Sequence, residues 1–200
     1  MPEQFLHYPS LENVALKSPS CASHHLVRLP SARELVQDAA CDPIISVVTP
    51  CYNDADVIEE TALSILSQTI RNLEWIIVDD GSNDGATAAA LERVAARDPR
   101  VRIERQANAG PAAARNLGAR LARTPYILFN DSDDLLEPTF AEKLLLALET
   151  FPGADWAWAG AIIFGAENFE WSNEFEPGPL FQHNICSMRR LVRKPAHEAA

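Results

Sequence analysis

The fold of this chain is indicated most clearly by the stretch Leu73-Glu-Trp-Ile-Ile-Val-Asp-Asp-Gly-Ser-Asn-Asp-Gly85. Residues 73–78 are almost continuously apolar, which predicts a strand buried on both faces, as the strands of a parallel sheet are. Acids, glycines and small polar residues follow at once and predict a loop at the carboxyl end of that strand. Because parallel strands need long crossover connections, helices are expected between this strand and its neighbours.

The sequence on either side alternates between strand and helix patterns. Further strands are predicted at 44–48, 101–104, 126–129 and 156–164, and helices at 56–69, 86–96, 111–123 and from Phe140 onward, after a capping box of Thr139 and Glu142. Strands that recur with helices between them form βαβ units. The chain is therefore expected to adopt an α/β fold, with a mainly parallel, Rossmann-like sheet and helices on both faces.

Four polar loops follow the predicted strands, at 49–56, 79–84, 106–110 and 130–134. In open α/β sheets, ligands bind outside the carboxyl ends of the strands, so these loops are expected to form one site. The last loop is the most acidic, because its strand runs straight into Asn130-Asp-Ser-Asp-Asp134. Its three carboxylates repel one another, and a divalent cation would remove that conflict.

If the strand continues through these acids, Asp131 and Asp133 point to the same side, because side chains alternate along a strand. Two oxygen ligands with no Cys or His beside them suit Mg²⁺ or Mn²⁺, which keep open positions for phosphate. The simpler interpretation is a loop that leads to a helix N-terminus, where Asp is favoured anyway. An aspartyl-phosphate phosphatase with Asp131 as nucleophile is a further interpretation, although Leu135 stands where such enzymes usually carry Thr.

The composition limits the classes of partner. With 200 residues, 47% hydrophobic and 22% charged, the chain is expected to form one soluble domain with additional segments. A formal net charge of -11 argues against nucleic acid, because phosphate backbones are held by clustered Lys and Arg. The sequence has no Gly-x-Gly-x-x-Gly and no Gly-x-x-x-x-Gly-Lys-Ser/Thr motif, which disfavours dinucleotide oxidoreductases and Walker-type NTPases.

The two ends of the chain differ from the middle. Residues 1–43 hold five prolines without a sustained period and are expected to form a partly disordered extension, with the domain over 44–200. Four scattered cysteines predict reduced thiols and a cytoplasmic location, and no apolar run is long enough to cross a bilayer. The chain closes with a basic cluster of Arg189, Arg190, Arg193 and Lys194. This cluster could contact pyrophosphate or the inner face of the membrane, or it could form a solvated helix face.

Five segments resemble, in this order, the motifs of family 2 glycosyltransferases with the GT-A fold. They are Ile45-Ser-Val-Val-Thr-Pro-Cys-Tyr-Asn53, Ser64-Ile-Leu-Ser-Gln-Thr69, Trp75-Ile-Ile-Val-Asp-Asp-Gly-Ser-Asn-Asp84, Asn108-Ala-Gly-Pro-Ala-Ala-Ala-Arg-Asn116 and Phe129-Asn-Asp-Ser-Asp-Asp134. The resemblance covers residues 44–164. It implies a metal-dependent, inverting enzyme that moves a sugar from a nucleotide diphospho-sugar, commonly UDP-linked, to a hydroxyl of a carbohydrate or lipid-linked acceptor.

The resemblance also implies roles for individual residues. The base and ribose would be walled by Thr49, Pro50, Tyr52 and Asn53. Asp79 and Asp80 would accept hydrogen bonds from the base, since an imide N–H needs a fixed acceptor; the simpler interpretation is a turn before a helix cap at Asn83 or Asp84. Arg115, on a helix with small residues that include Gly118, would face the donor or the acids rather than solvent. Asp133 would bind the metal directly, and Asp131 would bind the metal or lie nearer the sugar or ribose.

The catalytic base is not identified. The resemblance implies a carboxylate after the fifth strand that deprotonates the acceptor hydroxyl. No such acidic motif follows Met188-Arg-Arg190, so the base is expected beyond Ala200 and the domain is expected to be truncated there. Candidates by position alone are Glu167, Glu170, Glu174 and Glu176, against a solvated acidic loop, and His183 is expected to be a surface or packing residue. A donor-binding module without catalysis is therefore an alternative function.

Overall fold

A computed structural model describes residues 42–163, 169–171 and 188–199, so nearly all of the predicted N-terminal extension lies outside the described residues. The strands are β1 (Ile45–Cys51), β2 (Leu73–Asp79), β3 (Val101–Arg105), β4 (Tyr126–Phe129), β5 (Trp156–Trp158), β6 (Ala161–Ile163), β7 (Phe169–Trp171) and β8 (Arg190–Arg193). The helices are α1 (Ile58–Leu66), α2 (Thr87–Arg97), α3 (Pro111–Leu121), α4 (Phe140–Thr150) and α5 (Lys194–Glu198).

The main sheet has six strands in the order β3-β2-β1-β4-β8-β5. Parallel pairing joins β3 to β2, β2 to β1 and β1 to β4, so the predicted, mainly parallel α/β sheet is confirmed. β8 lies antiparallel to both β4 and β5, and the sequence did not predict it. Only Leu191 and Val192 in this strand are buried, and two arginines flank them. So short an apolar pair has no strand period of its own.

The fifth predicted strand is two strands rather than one. β5 joins the main sheet, whereas β6 pairs antiparallel with β7 in a separate two-stranded sheet. Ala159 and Gly160 separate them. The continuous apolar run from 156 concealed this change of sheet, because apolarity alone does not indicate which neighbour a strand will pair with.

Helices cover both faces of the main sheet, as predicted. One face of β1, with Ile45, Val47 and Cys51, packs in a core with residues of α1, α2 and α4. Val48 faces the other way and packs in a second core with residues of α3. At Gly118 of α3, an added Cβ would come within 2.4 Å of a Val48 methyl carbon. The predicted close packing of this helix on the sheet is therefore confirmed.

The predicted capping box of α4 is wrong. The Thr139 side chain makes no capping hydrogen bond to α4; its hydroxyl donates to the Glu137 carboxylate, and Glu142 instead accepts a 2.6 Å hydrogen bond from the Thr69 hydroxyl. This long-range partner on the chain after α1 competes successfully with the local one. Such competition is invisible in a sequence pattern of four residues.

The direction of sheet growth reverses between β1 and β4. From β1 the chain adds β2 and β3 on one side and then returns through α3 to place β4 on the other side of β1. Such a switch point leaves a crevice outside the carboxyl ends of the two strands. No helix in the described ranges is long and apolar enough to span a membrane.

Candidate functional site

A crevice of about 410 Å³ lies at this switch point. It brings together most of the residues that the sequence singled out, namely Pro50, Tyr52, Asp80, Arg115, Asp131 and Asp133. It also includes residues that the sequence analysis missed, namely Cys51, Asp54, Asn108, Gly110, Pro111 and Ser132. These come from the same motif segments or their immediate neighbours, so spacing within a motif was the signal that could have found them.

Three of the predicted residues do not line the crevice. Thr49 is fully buried, and its hydroxyl oxygen accepts a 2.9 Å hydrogen bond from the Trp75 indole N–H. Asn53 has a left-handed backbone with φ of 59°. Its side-chain amide donates to Asn83 Oδ1 at 3.0 Å and accepts the backbone N–H of the same residue at 2.8 Å. Thr49 therefore packs in the core, and Asn53 ties the loop after β1 to the loop after β2.

Asp79 is the third of these residues. It is buried, its Oδ1 accepts the Ser82 N–H at 2.9 Å, and its Oδ2 lies 3.6 Å from Arg105 Nε. Asp84, two residues after Ser82, accepts the backbone N–H groups of Ala86 and Thr87 at the start of α2. The alternative interpretation of a turn that leads to a helix cap thus describes Asp79 and Asp84 in the structure.

Asp80 does line the crevice, but its carboxylate is engaged by the protein. It accepts three N–H groups, from Gln106 Nε2 at 2.7 Å, Ala109 at 2.9 Å and Gly110 at 2.8 Å. Burial alone would raise the pKa of Asp80, but these hydrogen bonds outweigh it and lower the pKa below its usual value. A carboxylate offers about four lone-pair sites, so one is left for a ligand. Asp80 fixes the loop that leads into α3.

The acid loop, residues 130–134, is a turn and not a continuation of β4. β4 ends at Phe129, and the Asp134 N–H donates to the Asp131 carbonyl at 3.2 Å. The expectation that the strand runs on through the acids is therefore wrong. Asp131 and Asp133 nevertheless both line the crevice, while Ser132 between them is buried with 6% exposure.

Two arginines relieve most of the repulsion within the acid loop. Arg115 Nη2 lies 2.5 Å from Asp131 Oδ1, and Arg189 Nη1 lies 3.2 Å from Asp134 Oδ1. Burial raises the pKa of Asp134, Arg189 opposes that rise, and the neighbouring Asp133 and Asp131 add to it. Asp133 is exposed and has no ion-pair or hydrogen-bond partner among the described residues. The conflict predicted from sequence is thus met mainly by arginines, with one carboxylate left open.

Two buried polar atoms beside the crevice lack partners within the described part of the chain, Arg115 Nε and Asn130 Oδ1. The other end of the Asn130 amide donates to the carbonyls of Asp131 at 2.9 Å and Asp134 at 3.0 Å and braces the turn. A buried donor without a partner costs free energy. Both atoms are therefore polar groups that the described part of the fold leaves unsatisfied beside the crevice.

The closing basic cluster is engaged inside the fold. Besides Arg189, the guanidinium of Arg190 lies 5.6 Å from the centre of the Phe129 ring. Arg193 donates to the carbonyls of Ala154 and Leu148, and Lys194 donates to that of Ala122. The interpretation of a solvated helix face is therefore wrong. Of the positional base candidates, Glu170 is exposed on β7, and the others, with His183, lie outside the described residues.

The crevice offers two carboxylates, those of Asp131 and Asp133, to a hard divalent cation. No group of three His, Cys, Asp or Glu side chains among the described residues is arranged to hold a metal ion. The open carboxylate of Asp133 and the second oxygen of Asp131 are hard ligands at the same crevice. Mg²⁺ is commonly held by one or two carboxylates together with substrate phosphates. The residues therefore fit a cation that is bound jointly with a diphosphate.

The chain belongs to the family described as Glycosyl transferase family 2, whose sequence profile matches residues 46–196. It is 41% identical over 102 residues to the "uncharacterized glycosyltransferase EpsJ" of Bacillus subtilis (strain 168), covering 51% of this chain and 29% of EpsJ. It is 41% identical over 102 residues to "glycosyltransferase GlyG" of Streptococcus pneumoniae serotype 4, covering 50% of this chain and 34% of GlyG. The chain thus spans about a third of the length of these relatives.

The fold is that of GT-A glycosyltransferases. A mannosyltransferase from Pyrobaculum calidifontis, solved with GDP-Man and Mn²⁺, aligns with a TM-score of 0.53 and 28% identity, over 60% of this chain and 36% of that one. S. aureus TarS, solved with UDP-GlcNAc, aligns with a TM-score of 0.60 and 21% identity, over 78% of this chain and 47% of that one. The membership and the fold disfavour the aspartyl-phosphate phosphatase considered from sequence.

Proposed function

We propose that this chain binds a nucleotide diphospho-sugar in the crevice at the carboxyl ends of β1 and β4. In the complete protein it would transfer the sugar to an acceptor hydroxyl with inversion. The proposal rests on two side chains of the crevice. Asp133 has an open carboxylate, and Arg115 is already oriented by its ion pair with Asp131. Both lie at the switch point where α/β folds bind nucleotides.

Different residues of the crevice would contact different parts of the donor. Tyr52, which is 41% exposed, and Pro50 offer an apolar wall to the base and ribose. Arg115 would place its positive charge beside the diphosphate, while its Nη2 holds Asp131. Asp133 would hold a divalent cation, with Asp131 as the second carboxylate. When bound, the cation neutralises the charge that develops on the departing nucleoside diphosphate.

We propose a UDP-linked donor and Mg²⁺ or Mn²⁺ as cofactor. Support for the cation comes from the Pyrobaculum mannosyltransferase, whose structure contains Mn²⁺. For the nucleotide, Asp80 keeps one lone-pair site that could accept the imide N–H of uracil, but guanine offers an N–H as well. UDP and GDP therefore have to be compared directly. The acceptor is proposed to be a carbohydrate or a lipid-linked hydroxyl.

Thermal unfolding of the full 200-residue chain tests this function. UDP with Mn²⁺ should raise the melting temperature, and Asp133→Asn should remove that gain. Asp155→Asn is the matched control, because it neutralises an exposed aspartate just before β5, at the opposite rim of the sheet, and should keep the gain. Equal protection of wild type and Asp133→Asn would falsify the metal role.

We propose a donor-binding module without turnover as the alternative. Among the described residues after β5, the only positional candidate for a base is Glu170, which is exposed on β7. A base must lie within hydrogen-bond reach of the acceptor hydroxyl. Release of UDP from a UDP-sugar, with or without an added acceptor, distinguishes the two functions: sustained turnover by this chain would exclude the binding module.

A further inference from the structure

The motif segment 64–69, at the end of α1, does not line the crevice. None of the described residues that line the crevice comes from this segment. Its polar side chains are directed instead at the chain that carries the acids and the residues after them. The contacts begin one helical turn earlier, at Thr61.

Ser132, the residue between the two crevice acids, is held at both of its polar groups. The Thr61 hydroxyl donates to the Ser132 carbonyl at 2.6 Å, and the Ser132 hydroxyl donates to Asp54 Oδ2 at 2.5 Å. The same Asp54 oxygen accepts the Tyr52 N–H at 2.9 Å. Thr61 is fully buried. Ser132 is therefore anchored by α1 through its carbonyl and by the loop after β1 through its hydroxyl.

The contacts continue along the chain beyond the acids. Ser64 Oγ accepts the Leu136 N–H at 3.2 Å. The Gln68 amide, fully buried, donates to the Glu137 carbonyl at 2.8 Å and accepts the Ala141 N–H at 3.0 Å. One face of α1 and the residues that follow it thus hold the backbone from the acid loop to the start of α4.

We propose that Thr61 is a positioning residue for the donor site, and that the rest of this polar face supports it. Ser132 lines the crevice between the two acids, and its bonded carbonyl and hydroxyl fix the backbone that presents both acids to the crevice. A loop that is ordered before the ligand arrives loses less conformational entropy on binding. The effect on ligand binding rests on the function proposed above, whereas the effect on the acid loop itself does not.

The first test measures the acid loop without any ligand. Thr61→Val removes the hydroxyl at nearly constant volume and leaves the Ser132 carbonyl without its partner, whereas Thr61→Ser keeps the hydroxyl. Thr124→Val is the control, because Thr124 is also buried and donates to a backbone carbonyl, that of Tyr126, at 2.7 Å at the other end of β4. Hydrogen exchange of the amides at 131–134 should be about tenfold faster in Thr61→Val. It should be unchanged in Thr61→Ser and Thr124→Val.

The second test measures binding of UDP with and without Mn²⁺. Thr61→Val should weaken metal-dependent binding by about tenfold while metal-free binding stays the same, and Thr61→Ser should restore it. A general loss of stability would not separate these two affinities. Wild-type exchange and wild-type binding in Thr61→Val would overturn the positioning role. Should wild type bind neither UDP nor GDP with metal, the proposed function fails, and the exchange rates alone decide whether Thr61 positions the loop.

Discussion

Replacement of Arg115 by Met removes the guanidinium that faces Asp131 and keeps most of the apolar stem. The two charged groups approach to 2.5 Å between Nη2 and Oδ1, with side chains 17% and 29% exposed. Unit charges about 4 Å apart attract by about 4 kcal/mol at an effective dielectric constant near 20. Partial hydration of both groups cuts this to a coupling of about 2 kcal/mol. The single variant should lose about 3 kcal/mol, because Asp131 then also repels Asp133 and Asp134 without compensation.

A double-mutant cycle with Asp131→Asn measures that coupling. Urea unfolding of wild type, both single variants and the double variant should give an interaction energy of about 2 kcal/mol. Thermal unfolding of Arg115→Met should occur about 6 to 12 °C lower for a domain of this size. The exposed pair of Arg93 and Glu59, with side chains 55% and 34% exposed, is the control and should show little coupling.

A coupling below about 0.5 kcal/mol between Arg115 and Asp131 would show that Arg115 is not the charge that lets the acids lie together. A cation bound at the proposed site would neutralise the same carboxylate as Arg115. Mn²⁺ without nucleotide should therefore stabilise Arg115→Met more than it stabilises wild type.

Three further predictions concern the core and the titrating groups. Gly118→Ala should cost about 1 to 3 kcal/mol in urea unfolding, because its Cβ would meet the Val48 side chain, and Val48→Ala should recover part of the loss. Since the folded pKa of Asp80 is lowered, its stabilisation is complete above the unfolded value of about 3.9 and is lost as pH falls through the folded pKa. Asp80→Asn should therefore show a shallower acid loss than wild type, and equal slopes would contradict the hydrogen-bonded carboxylate. Burial, aided by nearby carboxylates, raises the pKa of Cys51 to about 12. Alkylation of Cys51 at pH 8, followed by peptide mass spectrometry, should therefore occur only when the chain unfolds.

The parallel part of the sheet could be predicted because each of its strands carries its own signal. β1 and β2 are apolar over most of their length and are buried on both faces, and polar loops follow each of them. The crevice followed from the same information, since parallel strands end at one edge of a sheet. Ordered motifs then identified Asp131, Asp133 and Arg115 as neighbours in the folded chain.

The remainder depended on partners that are distant in sequence. β8 exists because β4 and β5 accept it on either side, and Arg189 reaches Asp134 only through that placement. The predicted capping box at Thr139 does not form, because Glu142 accepts a hydrogen bond from Thr69 instead. The sequence also did not indicate which residues the polar face of α1 would contact. Local periodicity carries no information on such pairings, so they could be found only in the structure.

Titration calorimetry of the full chain with UDP, in the presence and absence of Mn²⁺, tests the proposed donor site. One Mn²⁺ should bind per chain together with the nucleotide, Mn²⁺ should tighten nucleotide binding at least about tenfold, and Asp133→Asn should abolish that gain. Equal nucleotide affinity with and without Mn²⁺, for GDP as well as UDP, would contradict a donor site built around the open carboxylate of Asp133.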